Sequence, residues 1–394
     1  MRIRHLLAAA AIAVPMLITV AAVAPAQAAQ RPLLPLTVTN NSGRADKVFL
    51  YVVGVNLTTG RLGWVNAGGA FTPWPRGNVP PVPAPDVAIA GPAPGASKTL
   101  QIPNMLSGRV YVAFGTKLKF FLTFDGLVQP APWAPQDANH DILFDWSEFT
   151  YDGAGLFLNT SMVDMFSVPH AVAVTGSTGQ TRRTGTLVAG GRNRIFDAVQ
   201  AQAGFGKLIV KRSDGTRLRV LSPRKGLESG LFSTTYYDSY VSKVWNLYRT
   251  ATLTVVPFEN QPGTKYFGRV DGAGNLNFTN TSGARVASFA KPSTSDVFGC
   301  DGRLAAPNDL VVGPIARTLC AALHRSTLDT IRTQPSTDAR RFYTQPVTDH
   351  YSRAMHANSV DGKAYGFAFD DVGHFESLVH DGAPRSAQIT LLPF

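Results

Sequence analysis

The stretch LFDWSEFTYDGAGLFLNTSMVDMF, residues 143–166, decides the fold. It contains two runs of strand-favouring residues, separated by Asp152-Gly153-Ala154-Gly155. Asp-Gly and Gly-rich segments between such runs are typical of tight turns, so the stretch predicts a β-hairpin. With a turn at 152–155, Thr150 lies opposite Phe157 and Glu148 lies opposite Asn159.

The predicted hairpin has one apolar and one polar face, because successive side chains of a strand point to opposite faces. The apolar face, which needs a core to pack against, consists of Phe149, Tyr151, Leu156 and Leu158. The polar face consists of Glu148, Thr150, Phe157 and Asn159. A carboxylate, a hydroxyl, an aromatic ring and an amide on one surface indicate a sugar-binding groove. A second carboxylate, Asp164, follows shortly after.

Hydrolysis of a glycosidic bond needs two carboxyl groups, one that protonates the leaving oxygen and one that activates water. Taken alone, Glu148 and Asp164 each have a simpler explanation. Glu148 fits a solvated strand residue, and Asp164 fits a helix N-cap or turn residue. Residues 137–148 mimic a calcium loop, but Ile142 stands where the sharp turn needs glycine. No metal and no cofactor are expected.

Residues 1–28 have the pattern of a removed secretory signal: a basic start, an apolar run and the small-x-small signal Ala26-Gln27-Ala28. No later run approaches the roughly 20 apolar residues of a membrane span. A secreted, extracellular monomer is therefore expected, with no membrane partner. The chain carries a net charge of +11, but its basic residues are scattered and no aromatic-basic motif predicts nucleic-acid binding. Attraction to acidic wall material stays open.

The chain has two cysteines, Cys300 and Cys320. In an exported protein an isolated pair usually forms one disulfide, and a metal site would need more ligands nearby. We therefore predict a disulfide between them.

The remaining pattern predicts a mainly β protein. An alternating hairpin is expected over residues 36–55, and strands are expected near the C-terminus at 364–369 and 386–392. Helical spacing is found at 193–203, 236–248 and 311–323. The helices of the middle region suggest a mixed α/β insertion at 169–250. Residues 29–168 and 251–394 would then form the β domain.

Four segments resemble glycoside hydrolase family 64, the bacterial β-1,3-glucanases with a thaumatin-like fold. The two most specific ones are FDWSEFTY at 144–151 and NTSMVDMF at 159–166. The weaker ones are LTVTNNSG at 36–43, which is similar to an opening strand, and YGFAFDD at 365–371, which is similar to a closing strand.

The resemblance implies a thaumatin-like β-sandwich or barrel, with a wide groove between it and the inserted α/β subdomain. It implies Glu148 as general acid and Asp164 as general base of an inverting enzyme that releases laminaripentaose from linear β-1,3-glucan. The side chains expected to contact sugar are Thr150, Asp152, Phe157, Asn159, Ser161, Asp370 and Asp371. For Asp370 and Asp371 a turn after the last core strand is an equal alternative. Phe157 stands where well-known members carry tryptophan, which offers a larger stacking face.

Two other functions fit the same groove. One is a non-catalytic thaumatin-like protein that binds β-1,3-glucan in cell walls, and the other is a basic cell-surface interaction protein. Only an enzyme needs both Glu148 and Asp164, so their joint presence favours a glycoside hydrolase.

Overall fold

The computed structural model describes residues 31–394, and the predicted signal segment lies outside them. The fold is mainly β, as expected, and is built on two large sheets. The first large sheet, called the five-stranded sheet below, has the strand order Thr181–Thr184, His170–Gly176, Pro384–Leu391, Leu34–Asn40 and Ser97–Ile102. The eight-stranded sheet has the order Leu378–Asp381, Gly155–Asn159, Leu143–Asp152, Met105–Phe114, Val48–Asn56, Leu62–Val65 and Phe71–Pro73, with Ile89–Ala90 paired to Val48–Asn56. Within residues 31–394 both sheets keep open edges, so the structure is a sandwich and the barrel alternative does not apply.

Three smaller sheets and six α-helices complete the described part of the chain. The sheets consist of Val82–Pro83, Phe121–Thr123 and Gly126–Val128; of Met165–Phe166, Ile209–Lys211 and Arg217–Leu221; and of Leu253–Val255, Tyr266–Val270, Leu276–Thr279, Arg285–Phe289 and Thr333–Gln334. The helices are Gly191–Gln200, Pro223–Glu228, Asp238–Leu247, Thr294–Gly299, Val312–His324 and His350–Asn358. No helix among residues 31–394 is long and apolar enough to cross a membrane.

The predicted hairpin is confirmed in its register. Thr150 pairs with Phe157 and Glu148 pairs with Asn159 across the antiparallel strands. The apolar face is buried in the sandwich core, with exposed fractions between 0% and 3% for Phe149, Tyr151, Leu156 and Leu158. Gly155 has a positive φ of 117°, and a Cβ there would collide with the carbonyl oxygen of Asp381, so the turn requires glycine.

The hairpin predicted at residues 36–55 is wrong. Leu34–Asn40 pairs in parallel with Pro384–Leu391, whereas Val48–Asn56 belongs to the other sheet. The buried side chain of Asn40 accepts hydrogen bonds from the amide and hydroxyl of Ser42, at 3.2 and 2.6 Å. It also donates to the carbonyl of Pro92 at 3.2 Å. These bonds stabilise a corner at which the chain passes from one sheet to the other.

The strand predicted at 364–369 is also wrong, since the segment forms turns and only Tyr365 makes an isolated bridge, to Ser161. The chain instead closes with the strand Pro384–Leu391, which pairs with the first strand. The three helices predicted from spacing are confirmed within a few residues of their bounds. Cys300 and Cys320 form the expected disulfide, which joins the end of Thr294–Gly299 to the middle of Val312–His324.

The predicted insertion at 169–250 contributes to more than one layer. Its first strand, His170–Gly176, pairs with Pro384–Leu391 in the five-stranded sheet. Its helices follow, and Ile195, Phe196 and Val199 of the first helix are fully buried. The division of the chain at residues 168 and 251 stays a prediction.

Candidate active site

The polar face of the hairpin lies in a groove of about 410 Å³. The groove floor is the outer face of the eight-stranded sheet, where Met105–Phe114, Leu143–Asp152 and Gly155–Asn159 lie side by side. The lining residues are Ser107, Gly108, Arg109, Glu148, Phe149, Thr150, Phe157, Asn159, Tyr365 and Leu378. Three of the predicted sugar contacts, Thr150, Phe157 and Asn159, therefore share one groove with Glu148.

Glu148 is held through one of its two carboxylate oxygens. Its Oε1 accepts hydrogen bonds from Arg109 Nε at 3.1 Å and from Trp146 Nε1 at 3.3 Å. Arg109 Nη2 lies 3.0 Å from the same oxygen. Within residues 31–394 no side chain bonds to Oε2, which leaves that oxygen available to a ligand.

Asp164 is not among the residues that line the groove, but it lies between two cations, one of which, Arg109, does line it. Its carboxylate is 3.9 Å from Arg109 Nη2 and 3.6 Å from Lys225 Nζ. Lys225 comes from the helix Pro223–Glu228, whose N-cap Ser222 donates its amide to the carbonyl of Asp164 at 2.9 Å. The lysine therefore approaches from an element whose position is tied to Asp164 itself.

Arg109 connects the two candidate carboxylates, because one nitrogen, Nη2, is close to both. Its distances of 3.0 and 3.9 Å place the nearest oxygens of Glu148 and Asp164 no more than about 7 Å apart. Carboxyl groups are roughly 6.5–9.5 Å apart in inverting glycosidases and roughly 5–5.5 Å apart in retaining ones. The upper limit of about 7 Å on this distance allows the retaining spacing and also the short end of the inverting range. Product analysis must therefore decide the stereochemistry.

Arg109 was not predicted as a site residue from the sequence. It stands opposite Glu148 in the sheet, and its guanidinium lies over the ring of Trp146 at 4.9 Å. Burial alone would lower the pKa of Arg109, but the nearby Tyr111 and Glu148 have the larger effect, so the pKa of Arg109 is raised. It also donates to Gln129 at 3.3 Å. A fixed, permanently charged guanidinium therefore orders the site before any ligand arrives.

Tyr365 closes the other side of the groove and was not singled out as a site residue. Burial, with Asp371 and Glu148 nearby, raises the pKa of its hydroxyl, so the group stays protonated. The backbone of Tyr365 forms an isolated β-bridge with Ser161, and the side chain of Ser161 is buried. Ser161 therefore supports the groove wall in this structure and does not line the groove.

Phe157 presents its ring in the groove and is backed by His380 on the edge strand. The two rings are stacked, with centroids 4.0 Å apart and an angle of 18° between planes. Asp152 lies at the hairpin turn, where it accepts a hydrogen bond from the amide of Ala154 at 2.8 Å. It is not among the residues that line the groove.

Asp370 was predicted to contact sugar, but the structure buries it completely. Its oxygens accept hydrogen bonds from Arg325 at 2.9 Å and from the amide of Gly366 at 3.0 Å, and one lies 3.0 Å from His356. Burial would raise the pKa of Asp370, but His356 and Arg325 outweigh it and lower the pKa. Asp370 therefore anchors the turn that carries Tyr365. Asp371 is exposed and lies outside the groove lining.

One cluster has the composition of a metal site but not its chemistry. Atoms of Cys300, Cys320 and His324 lie within 4.8 Å of one another. The two sulfur atoms are bonded in the disulfide, so they are not thiolate ligands. Both nitrogens of His324 are already engaged, with Asp349 at 2.8 Å and the carbonyl of Val297 at 2.8 Å.

The described residues thus form a β-sandwich with an open groove and two carboxylates near one arginine. Residues 32–391 match the model of glycoside hydrolase family 64, described as β-1,3-glucanase, and the chain belongs to this family. The resemblance noted in the sequence is thereby confirmed.

The chain is similar to two curated proteins, each named glucan endo-1,3-beta-glucosidase, from Arthrobacter sp. (strain YCWD3) and Cellulosimicrobium cellulans. Each is 49% identical over 364 residues, which are 92% of this chain and 65% of the relative's length. The chain thus spans slightly less than two thirds of these relatives.

Two solved structures are similar over nearly their whole length. A laminaripentaose-producing β-1,3-glucanase in complex with laminaritetraose is 53% identical, with a TM-score of 0.89, and the match covers 92% of this chain and 99% of the other. A family 64 β-1,3-glucanase domain from Clostridium beijerinckii is 25% identical, with a TM-score of 0.76, covering 92% and 98%.

Proposed function

We propose that the protein is a secreted glycoside hydrolase that cleaves β-1,3-glucan of the laminarin or curdlan type, acting without a cofactor. The observation that carries the proposal is that Glu148 lines the groove and Asp164 lies beside it, both within reach of Arg109 Nη2. Family membership and the name of the 53% identical relative support the substrate and a laminaripentaose-like product.

In the proposed mechanism Glu148 is the general acid. Arg109 and Trp146 occupy Oε1, so the proton is carried on Oε2 and passed to the leaving oxygen of the glucan. The guanidinium, 3.0 Å from Oε1, lies next to the negative charge that remains on Glu148 after the proton has left.

Asp164 is the general base of this mechanism and takes a proton from the attacking water. Lys225 Nζ lies 3.6 Å from this carboxylate and helps to hold it in place. Thr150, Phe157 and Asn159 hold the sugar ring over the pair. The aromatic ring packs on the apolar C–H face of a pyranose, while the hydroxyl and the amide bond its oxygens.

The experiment that tests the function is incubation of the purified protein with laminarin and with curdlan, followed by chromatography of the products. We expect short oligosaccharides from the parent protein, and a loss of roughly 10²–10⁴-fold in rate for Glu148→Gln and for Asp164→Asn. The matched control is Glu259→Gln, a strongly exposed carboxylate paired with His374, which should keep full activity. Near-parental turnover by Glu148→Gln would overturn the assigned acid.

The stereochemical part of the proposal has its own measurement. Proton NMR of freshly formed products should show the α-anomer first if water attacks directly under general base catalysis by Asp164. The β-anomer appearing first would show a retaining reaction, in which one carboxylate acts as nucleophile.

A further inference from the structure

We infer that the outer face of a second sheet, around Phe267, is an additional, non-catalytic binding site for β-1,3-glucan. The inference rests on the proposed function, because it assigns the same polysaccharide to a second surface. The site lies on the antiparallel strands Tyr266–Val270 and Leu276–Thr279, in the sheet built mostly from residues 253–289.

The strands present a polar outer face over a packed inner one. The inward residues Tyr266, Val270, Leu276 and Phe278 are buried. The outer face carries a concavity of about 370 Å³, lined by the outward residues Phe267, Arg269, Asn277 and Thr279, by Thr252 and Asp271 outside the two strands, and by part of the buried Val270. An aromatic ring beside hydroxyl, amide and charged groups is the same chemistry that lines the catalytic groove.

The likeness to the groove extends to strand register. In the groove, Phe157 stands directly opposite Thr150, and the next pair on the same face is Asn159 with Glu148. On the second sheet, Phe267 stands directly opposite Thr279, and the next pair on the same face includes Asn277. A phenylalanine–threonine pair with an asparagine two residues further along the sheet therefore occurs on both surfaces, although the asparagine is on the phenylalanine's strand in the groove and on the threonine's strand in the second sheet.

The two surfaces differ in the residue that faces the asparagine. In the groove it is the carboxylate Glu148, whereas on the second sheet it is Arg269. Asp271 is the only carboxylate among the residues that line the second concavity. Two carboxylates are needed for hydrolysis, so the second surface binds glucan without cleaving it.

The polar groups of the second surface are already held in place. Asn277 Nδ2 donates to Asp271 at 2.7 Å, and Asn277 Oδ1 accepts from Ser288 at 2.8 Å. Arg269 donates to the carbonyl of Thr250 at 2.7 Å. Preorganised side chains lose little freedom when a ligand binds. The opposite charges of Arg269 and Asp271 balance, which suits an uncharged polysaccharide better than an anionic one.

The test compares binding and catalysis in two backgrounds. In the Glu148→Gln background, depletion of protein by insoluble curdlan measures the dissociation constant. In the active background, kcat/KM on soluble laminarin measures the groove alone. Phe267→Ala should weaken binding to curdlan about tenfold, because the loss of a ring removes most of the apolar contact. The same change should leave kcat/KM within about twofold of the parent.

Two further variants make the result specific. Phe267→Trp keeps a stacking ring and should retain parental binding. Leu310→Ala removes an apolar side chain that is 78% exposed and outside both cavities, and should change neither quantity. Parental binding of Phe267→Ala to curdlan would overturn the inference, whereas a parent protein that fails to hydrolyse laminarin would overturn the proposed function instead.

A direct measurement covers the case in which Phe267→Ala loses its fold. Titration of isotope-labelled Glu148→Gln with laminaritetraose should shift the amide resonances of Phe267, Arg269 and Asn277, as well as those of the groove. Shifts confined to the groove at saturating oligosaccharide would also overturn the inference.

Discussion

The carboxylate of Asp145 accepts a hydrogen bond from the backbone amide of Ser167 at 2.8 Å. The same oxygen accepts the amide of Val168 at 2.9 Å, and its partner oxygen accepts the amide of Trp146 at 2.9 Å. Asp145 lies three residues before Glu148, and Ser167 lies three residues after Asp164. One buried carboxylate therefore ties the strand of the proposed acid to the segment of the proposed base.

Asp145→Asn should lower both activity and stability. A carboxamide has one acceptor oxygen, so it cannot serve the amides on both sides, and an unsatisfied buried amide costs about 1–3 kcal/mol. We expect a fall in the free energy of unfolding of that size, and a fall in kcat because the two carboxylates lose their fixed separation. Urea unfolding and laminarin hydrolysis measure the two effects. Asp141→Asn, at a more exposed carboxylate nearby, is the control and should be close to parental.

The pH dependence of stability should also change in Asp145→Asn. Burial raises the pKa of Asp145 to about 7, against the bonding by three amides and the charge of Arg219. The unfolded carboxyl ionises near its ordinary pKa of about 3.9. The folded state is thus favoured while Asp145 is protonated, and this contribution is lost as the pH rises from about 4 through 7. The difference in unfolding free energy between parent and variant should follow that window, and a pH-independent difference would contradict it.

The hairpin could be predicted from sequence because its information is local: a turn signal and the alternation of side chains settle its register. The contacts that arrange the site are not local. Arg109 meets Glu148 across 39 positions, and Asp145 meets Ser167 across 22, and neither side chain stands out in its own strand. Asp370 shows the opposite error, because its motif was visible but its burial depends on Arg325, which follows the helix Val312–His324, and on His356 of the helix His350–Asn358.

Lys225→Met should reduce kcat/KM on laminarin by roughly tenfold. The change removes the cation 3.6 Å from Asp164, so the carboxylate of the proposed base loses one of the two cations that hold it in place. Methionine keeps an apolar chain in place of the lysine side chain, whose ammonium lies over Trp133 at 4.3 Å. The control is Lys207→Met, on a different surface. Parental kcat/KM in the Lys225 variant would show that the lysine does not act on the base.

Phe157→Ala should weaken binding of β-1,3-glucan oligosaccharides, and Phe157→Trp should strengthen it. The ring lines the groove, and a larger ring buries more apolar surface at about 25 cal/mol per Å². Calorimetry in the Glu148→Gln background measures the dissociation constants. An alanine variant that binds as tightly as its parent would show that the stack of Phe157 on His380 serves the fold and not the ligand.

The last prediction concerns the disulfide, which is more closely connected to the groove than its place in the sequence indicates. Cys300 and Cys320 pack with Phe367 in one small buried cluster, and Phe367 lies two residues after Tyr365 of the groove wall. Closing a loop of 20 residues stabilises by roughly 3 kcal/mol in the chain-entropy estimate.

The double variant Cys300→Ala/Cys320→Ala should therefore unfold at a lower temperature while keeping its activity near room temperature, because Asp370, Arg325 and His356 still anchor the turn of Tyr365. Differential scanning calorimetry and laminarin hydrolysis at 25 °C measure the two quantities. Loss of activity in a variant that remains folded at 25 °C would show that the disulfide, and not the buried ion pairs, positions this wall of the groove.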